Sequence, residues 1–159
     1  MWRRLSSVAV ALACAACAPT PPTIQRTATP TVIVVPTVLP NGRVEIAIQP
    51  RYGLGQPARI DVAIIATRGS ITGPMQARVI ASGINEGGAP SEVLVRRLDA
   101  TAATATADRR AATSVTWNGE DQSGVRVPAD AYVLLLEFES KDGENTRTIR
   151  ATATLHMND

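Results

Sequence analysis

Hydrophobic residues in this chain alternate with polar ones over short stretches, the period of a strand with one buried face. Within residues 43–49, Val44, Ile46 and Ile48 fall on one side, and Arg43, Glu45 and Gln49 lie among the others. Residues 59–65 repeat the pattern with Ile60, Val62 and Ile64 inward, and Arg59 and Asp61 outward. Residues 75–81 turn Ala77 and Val79 inward, with Met75 joining them, and residues 92–98 put Val93 and Val95 on one side. Thr113, Val115 and Trp117 form a further strand. The most marked set is Tyr132, Leu134, Leu136 and Phe138, with Val133 and Leu135 on the opposite face, as in a central strand covered on both sides. Residues 147–155 return with Ile149, Ala151, Ala153 and Leu155 on one face.

Between these stretches lie turn signals. Residues 50–57, 67–74 and 83–90 are rich in Gly, Pro and Asn, and Lys141-Asp142-Gly143 reads as a hairpin turn with its glycine at positive φ. Residues 99–113 are Ala-Thr repeats with Arg109 and Arg110; the threonines oppose a helix, and the segment reads as a mobile excursion. About seven to eight strands at sandwich spacing, with no amphipathic helix, predict an all-β, immunoglobulin-like or fibronectin III-like β-sandwich over residues 41–159.

Before this domain come two segments of different character. Residues 1–16 carry Arg3 and Arg4, then an uncharged run of about a dozen residues, too short to cross a hydrocarbon layer of roughly 30 Å as a helix. This is an export signal. Its end holds both cysteines, each preceded by alanine, and resembles the lipobox of bacterial lipoproteins, in which the cysteine becomes an acylated N-terminus. Cys17 follows the better-proportioned apolar run, although Cys14 occupies the place where leucine is usual. Cys14, with Ala-Leu-Ala before it, is the alternative lipidation site. A plain signal peptide cut after Ala16 or Ala18 is the bland reading. Acyl chains contribute ~0.8 kcal/mol per buried methylene, so several of them would anchor the protein stably.

Residues 17–40 are rich in Pro and Thr, an extended and solvated tether. Residues 31–35 within it are β-prone and predict an edge strand flanked by Pro30 and Pro36. Beyond residue 17 there is no cysteine, so the domain must hold itself together by apolar packing.

Composition narrows the function. A net charge of +2 and 3% aromatic residues give neither a basic footprint nor stacking platforms, so nucleic acid is not an expected partner. His156, the one histidine, sits near the C-terminus and is expected to be exposed; without a second histidine or thiol it supplies no zinc set and no catalytic triad. Glu137 and Glu139 alternate with core positions and read as a solvated face. Asn118, Glu120 and Asp121 could offer oxygens to Ca²⁺, but no distant bidentate carboxylate follows, and turn-forming hydrogen bonds are favoured. No catalytic, cofactor or metal residue is expected.

The stretch from Trp117 to Phe138 organises the rest. Trp117 closes one strand, a loop bearing Asn118, Gly119, Asp121 and Gly124 turns the chain, and Pro128 leads into the strand that begins near Tyr132. Over about sixteen residues it resembles the pattern Trp-Asp-Gly-x-Asp-x-x-Gly-x-x-Val-Pro-x-Gly-x-Tyr of the immunoglobulin-like domain in the bacterial flagellar hook-capping family. Asn118 stands for the usual aspartate. Asp130 stands for a glycine, which implies an aspartate in the left-handed region. The resemblance implies a fold and says little of function. Trp117 is expected to plug the core beside Tyr132.

The expectation is therefore a non-enzymatic lipoprotein of the cell envelope, a binding or assembly module held to a membrane by its N-terminal lipid. Its partner would be another envelope protein, with glycan second, met through edge strands or loop ends. The alternative is a protease-inhibitor-like sandwich acting through a protruding loop, at residues 83–90 or 99–113.

Overall fold

The computed structural model describes residues 33–48 and 57–157. The leader, Cys14, Cys17 and the tether up to residue 32 lie outside the described residues. Nine strands run in order: β1 (Ile33–Leu39), β2 (Gly42–Ile48), β3 (Ala58–Ala66), β4 (Ser70–Ile84), β5 (Pro90–Leu98), β6 (Ala103–Thr106), β7 (Arg109–Trp117), β8 (Ala131–Asp142) and β9 (Asn145–His156). They form two antiparallel sheets. One has the order β1-β2-β3-β7; the other runs β5-β4-β8-β9, with β6 also paired to β4.

The alternating residues face inward as the pattern dictates. Val44, Ile46 and Ile48 of β2 and Ile60, Val62 and Ile64 of β3 are buried against Tyr132, Leu134, Leu136 and Phe138 of β8 and Ala151, Ala153 and Leu155 of β9. Each fully buried large side chain contributes about 1.5–3 kcal/mol, and this interior, which contains no cysteine, holds the two layers together. Leu135 is buried on the opposite face of β8 and Val133 half-buried, in keeping with a central strand between β4 and β9.

Several expectations are corrected. Of the edge strand expected at 31–35, the described part lies in β1, which continues through Pro36 to Leu39 and pairs with β2, so the last residues of the expected tether belong to the sandwich. A two-residue hairpin closes on a hydrogen-bonded pair, here Leu39 and Gly42, so Pro36 occupies an alternate position whose N–H direction faces away from β2. A proline there forfeits no ladder bond.

Residues 67–74 are not all turn: β4 starts at Ser70 and absorbs Gly73 and Pro74 at an irregularity between Thr72 and Gln76. That irregularity leaves Met75 exposed rather than inward. On β5, Val95 is half-buried against the core, but Val93 is exposed.

Residues 99–113 are not an excursion. Ala103–Thr106 is β6, and β7 begins at Arg109. β6 belongs to the five-stranded sheet and β7 to the other, so the chain changes layers at Ala107 and Asp108. The Ala107 amide donates to the Gly69 carbonyl at 3.0 Å and the Asp108 amide to that of Ala66, which fastens the crossing to the β3–β4 turn. Asp108, at φ 58°, is the one non-glycine residue at positive φ among the described residues. Asp130, expected in the left-handed region, is therefore not left-handed. Gly143, at φ 62°, opens the two-residue hairpin between Asp142 and Asn145, as its turn requires.

Candidate functional site

The corner between β7 and β8 gathers the residues singled out in the sequence. Trp117 ends β7 with its ring buried, and its indole N–H donates to the Glu120 carbonyl at 2.9 Å, satisfying its one polar atom. Tyr132, near the start of β8, meets it edge to face with ring centroids 5.3 Å apart and planes at 69°. The Tyr132 hydroxyl donates to the Pro128 carbonyl at 2.9 Å, tying the strand to the loop that precedes it. This resembles the tyrosine corner of immunoglobulin sandwiches. Burial pushes the phenol above its ordinary value, and the Asp130 carboxylate adds to the rise.

Asp121 shapes the loop between them. Its Oδ1 accepts from the Ser123 hydroxyl at 2.7 Å and from the amides of Ser123 and Val125, both at 2.9 Å. These bonds, the Ser123 hydroxyl foremost, hold its pKa below the ordinary 3.8. The turn closes with the Asp121 amide donating to the Val125 carbonyl and the Gly124 amide to that of Asp121. Asn118 donates its amide to Glu120 Oε2 at 2.6 Å. Glu120 Oε2 and Asp121 Oδ1, two oxygens that a cation could have used, thus accept from protein donors. Among the described residues no group of three or more His, Cys, Asp or Glu could hold a metal ion.

The same loop covers a sheet edge. The Gln122 amide donates to the Val95 carbonyl at 2.9 Å, and the Arg97 amide donates to Gln122 Oε1 at 3.0 Å. Arg96 reaches back, donating to the Asp121 carbonyl at 2.6 Å. One loop residue therefore occupies, on the outer side of β5, the place of a neighbouring strand. An unpaired edge invites pairing with other chains, and this contact blunts it. Sequence alone could not reveal it, because Gln122 and β5 are far apart in the chain.

The other edge of this sheet is different. β9 pairs with β8 along its whole length, from Asn145 opposite Asp142 to His156 opposite Ala131, without a register shift. Asp142 and Asn145 close the hairpin as a hydrogen-bonded pair, so the even-numbered residues from Thr146 to His156 turn their backbone N–H and C=O groups away from β8. No described strand pairs with them. The strand is 12 residues long and carries no proline. His156 is exposed, as expected. The edge at β1, by contrast, is interrupted by Pro36.

All three described aromatic rings, Trp117, Tyr132 and Phe138, are buried. No protein-family model matches the chain, and no curated protein sequence matches it. Among solved structures it is similar to Spo0M, the sporulation control protein of Bacillus subtilis, with a TM-score of 0.51 at 8% identity. The likeness covers 76% of this chain but 51% of that one, so the chain spans about half the length of that protein. At such identity the likeness shows a β-sandwich fold and nothing of function.

Proposed function

We propose that this chain is a non-enzymatic binding or assembly module of a bacterial cell envelope. An acylated Cys17, with Cys14 as the alternative, holds it to a membrane, and the Pro/Thr-rich tether carries the sandwich. The basic, apolar and small-residue order of the leader supports the address. The likeness of the Trp117–Tyr132 corner to the hook-capping pattern supports an immunoglobulin-like form of sandwich, without that family's role on the flagellum.

The observation that carries the reading is the outer edge of β9, unpaired among the described residues. It offers a long row of unpaired backbone donors and acceptors to an extended segment of another protein, which would add a strand to the sheet. Burial of every described aromatic ring favours a protein partner over a glycan, since sugars are gripped by exposed rings.

Photo-crosslinking in intact cells, followed by mass spectrometry, tests this reading. A crosslinker at Thr152 on β9 is expected to capture a partner, and one at exposed Thr116 on β7 is not. Equal capture from both positions, or none from Thr152, would count against edge pairing. Mass measurement of the mature N-terminus tests the anchor: an unmodified terminus beyond residue 17 would remove it.

A further inference from the structure

The outer face of the five-stranded sheet carries an arrangement that folding alone does not account for. In the β4–β5 register Arg78 stands directly opposite Arg97. Like charges placed opposite on one face of a sheet destabilise it. Arg78 is held on one side only: its Nη2 lies 2.9 Å from Glu137 Oε1, and the same oxygen takes Arg150 Nε at 3.0 Å. Two guanidinium groups thus share one carboxylate, and Arg97 adds a third cation beside them. Arg97 makes no ion pair among the described residues, and the Nε of Arg78 is buried with no hydrogen-bond partner. A buried donor left unpaired costs roughly 1–3 kcal/mol, so it calls for an explanation. A shallow cleft of ≈ 290 Å³, lined by Met75, Gln76, Arg78, Arg97 and Leu98, lies at the two arginines.

The neighbouring row across the sheet is apolar. Leu94 opposes Ile80, which opposes Val133. Ile80 is buried yet stands apart from the main core, as does Leu135 opposite Arg78, and Leu94 remains 45% exposed. Arg78 and Ile80 are two positions apart on one strand, a separation of roughly 6.5–7 Å. The side chains of residues two apart in an extended peptide have the same spacing.

We propose that this face is an oxyanion site in which the Arg78–Arg97 pair grips a carboxylate, and that its ligand is an acidic segment of a protein partner that sets an apolar side chain two residues away onto the Leu94–Ile80 row. A carboxylate between the guanidinium groups would relieve their repulsion and give Arg78 Nε its missing acceptor. The proposal names the chemistry of a partner and so goes beyond edge pairing; it concerns a face, and does not depend on β9.

The test follows the arginine Nε–H resonances of the full chain by NMR. The probes are the blocked peptide Glu-Thr-Leu-Thr-Glu, which sets Leu two residues from each carboxylate, its neutral analogue Gln-Thr-Leu-Thr-Gln, inorganic phosphate, and phosphatidylglycerol–phosphatidylcholine vesicles. The acidic peptide is expected to shift the Arg78 resonance, and R97Q to weaken its binding about tenfold. R97Q is also expected to keep or raise the melting temperature, because it removes a repulsion. A purely structural arginine would behave the opposite way. The proposal is overturned if R97Q binds the peptide as well as the parent, or if the neutral peptide gives the same shift. It is equally overturned if phosphate binds as tightly as the peptide, or if vesicles shift the resonance and the peptide does not. Crosslinks from Thr152 are expected to survive R97Q, which separates this outcome from that of the edge.

Discussion

The terminal methyl of Met157 lies against the bare backbone of Gly119, where a Cβ would come within 2.5 Å of it. Met157 is buried, and its amide donates to the Asp130 carbonyl at 2.9 Å, so the last described residue of the chain closes the corner from below. Gly119 has φ 76° and Gly124 has φ 84°, but nothing lies within 4 Å of a Cβ added at Gly124. Two glycines of one loop thus face different demands. Gly124→Ala meets only the left-handed backbone cost and is expected to destabilise by about 1 kcal/mol, whereas Gly119→Ala must also displace Met157 and is expected to cost about 2–4 kcal/mol. Urea denaturation of the two variants measures the difference, and pairing Gly119→Ala with Met157→Ala should recover part of it.

Tyr132→Phe removes the hydroxyl and leaves the Pro128 carbonyl without its donor, while the ring can keep its contact with Trp117. A loss of about 1–2 kcal/mol is expected in chemical denaturation. Trp117→Ala removes the largest side chain of the core and is expected to cost about 3–5 kcal/mol.

The Asp121 carboxylate has a depressed pKa in the folded chain, so it binds a proton less readily there than in the unfolded chain. Its contribution to stability is fully present above the ordinary value of 3.8 and is lost as pH falls through the depressed value. Ser123→Ala removes the foremost cause of the depression. Its effect is expected as an upward move of the Asp121 titration, followed by carboxyl-carbon NMR, and as a smaller loss of stability between those pH values.

Gln122 shields the edge of β5 by accepting from the Arg97 amide. Gln122→Ala is expected to speed hydrogen exchange at Arg97 about fivefold, the equivalent of ~1 kcal/mol, and to leave the Leu136 amide in the centre of the sheet unchanged. Equal acceleration at both amides would mean global destabilisation and not an uncovered edge.

Much of this fold is legible where alternation is strong. Val44, Ile46 and Ile48 of β2, Ile60, Val62 and Ile64 of β3, and Tyr132 through Phe138 of β8 carry large apolar side chains at period two, and burial follows directly. The corner is legible as well, because Trp117, Asp121, Gly124 and Tyr132 have local jobs that depend on near neighbours. What escapes sequence reading is decided at long range. β6 is Ala-Thr-Ala-Thr, with too little apolar bulk to declare a face, and it is a strand because β4 offers it an edge. Gly73 and Pro74 read as a turn, yet the chain passes through them with an irregularity in pairing and remains a strand. Pro36 reads as a terminator, but the side of β1 it faces needs no donor. Met157 continues the alternation of Ala151, Ala153 and Leu155, but its place against Gly119 is set by the fold, and the Arg78–Arg97 pair exists only through the register of β4 and β5.

The measurement closest to the central claim is amide hydrogen exchange along β9 in the isolated chain, residue by residue. If its outer edge is free for a partner, protection alternates: Arg147, Ile149, Ala151 and Ala153 exchange slowly, and Thr148, Arg150, Thr152 and Thr154 exchange fast. Uniform protection along the strand would mean that the edge is already paired, and uniformly fast exchange that the strand is not held in the sheet; either result contradicts the account.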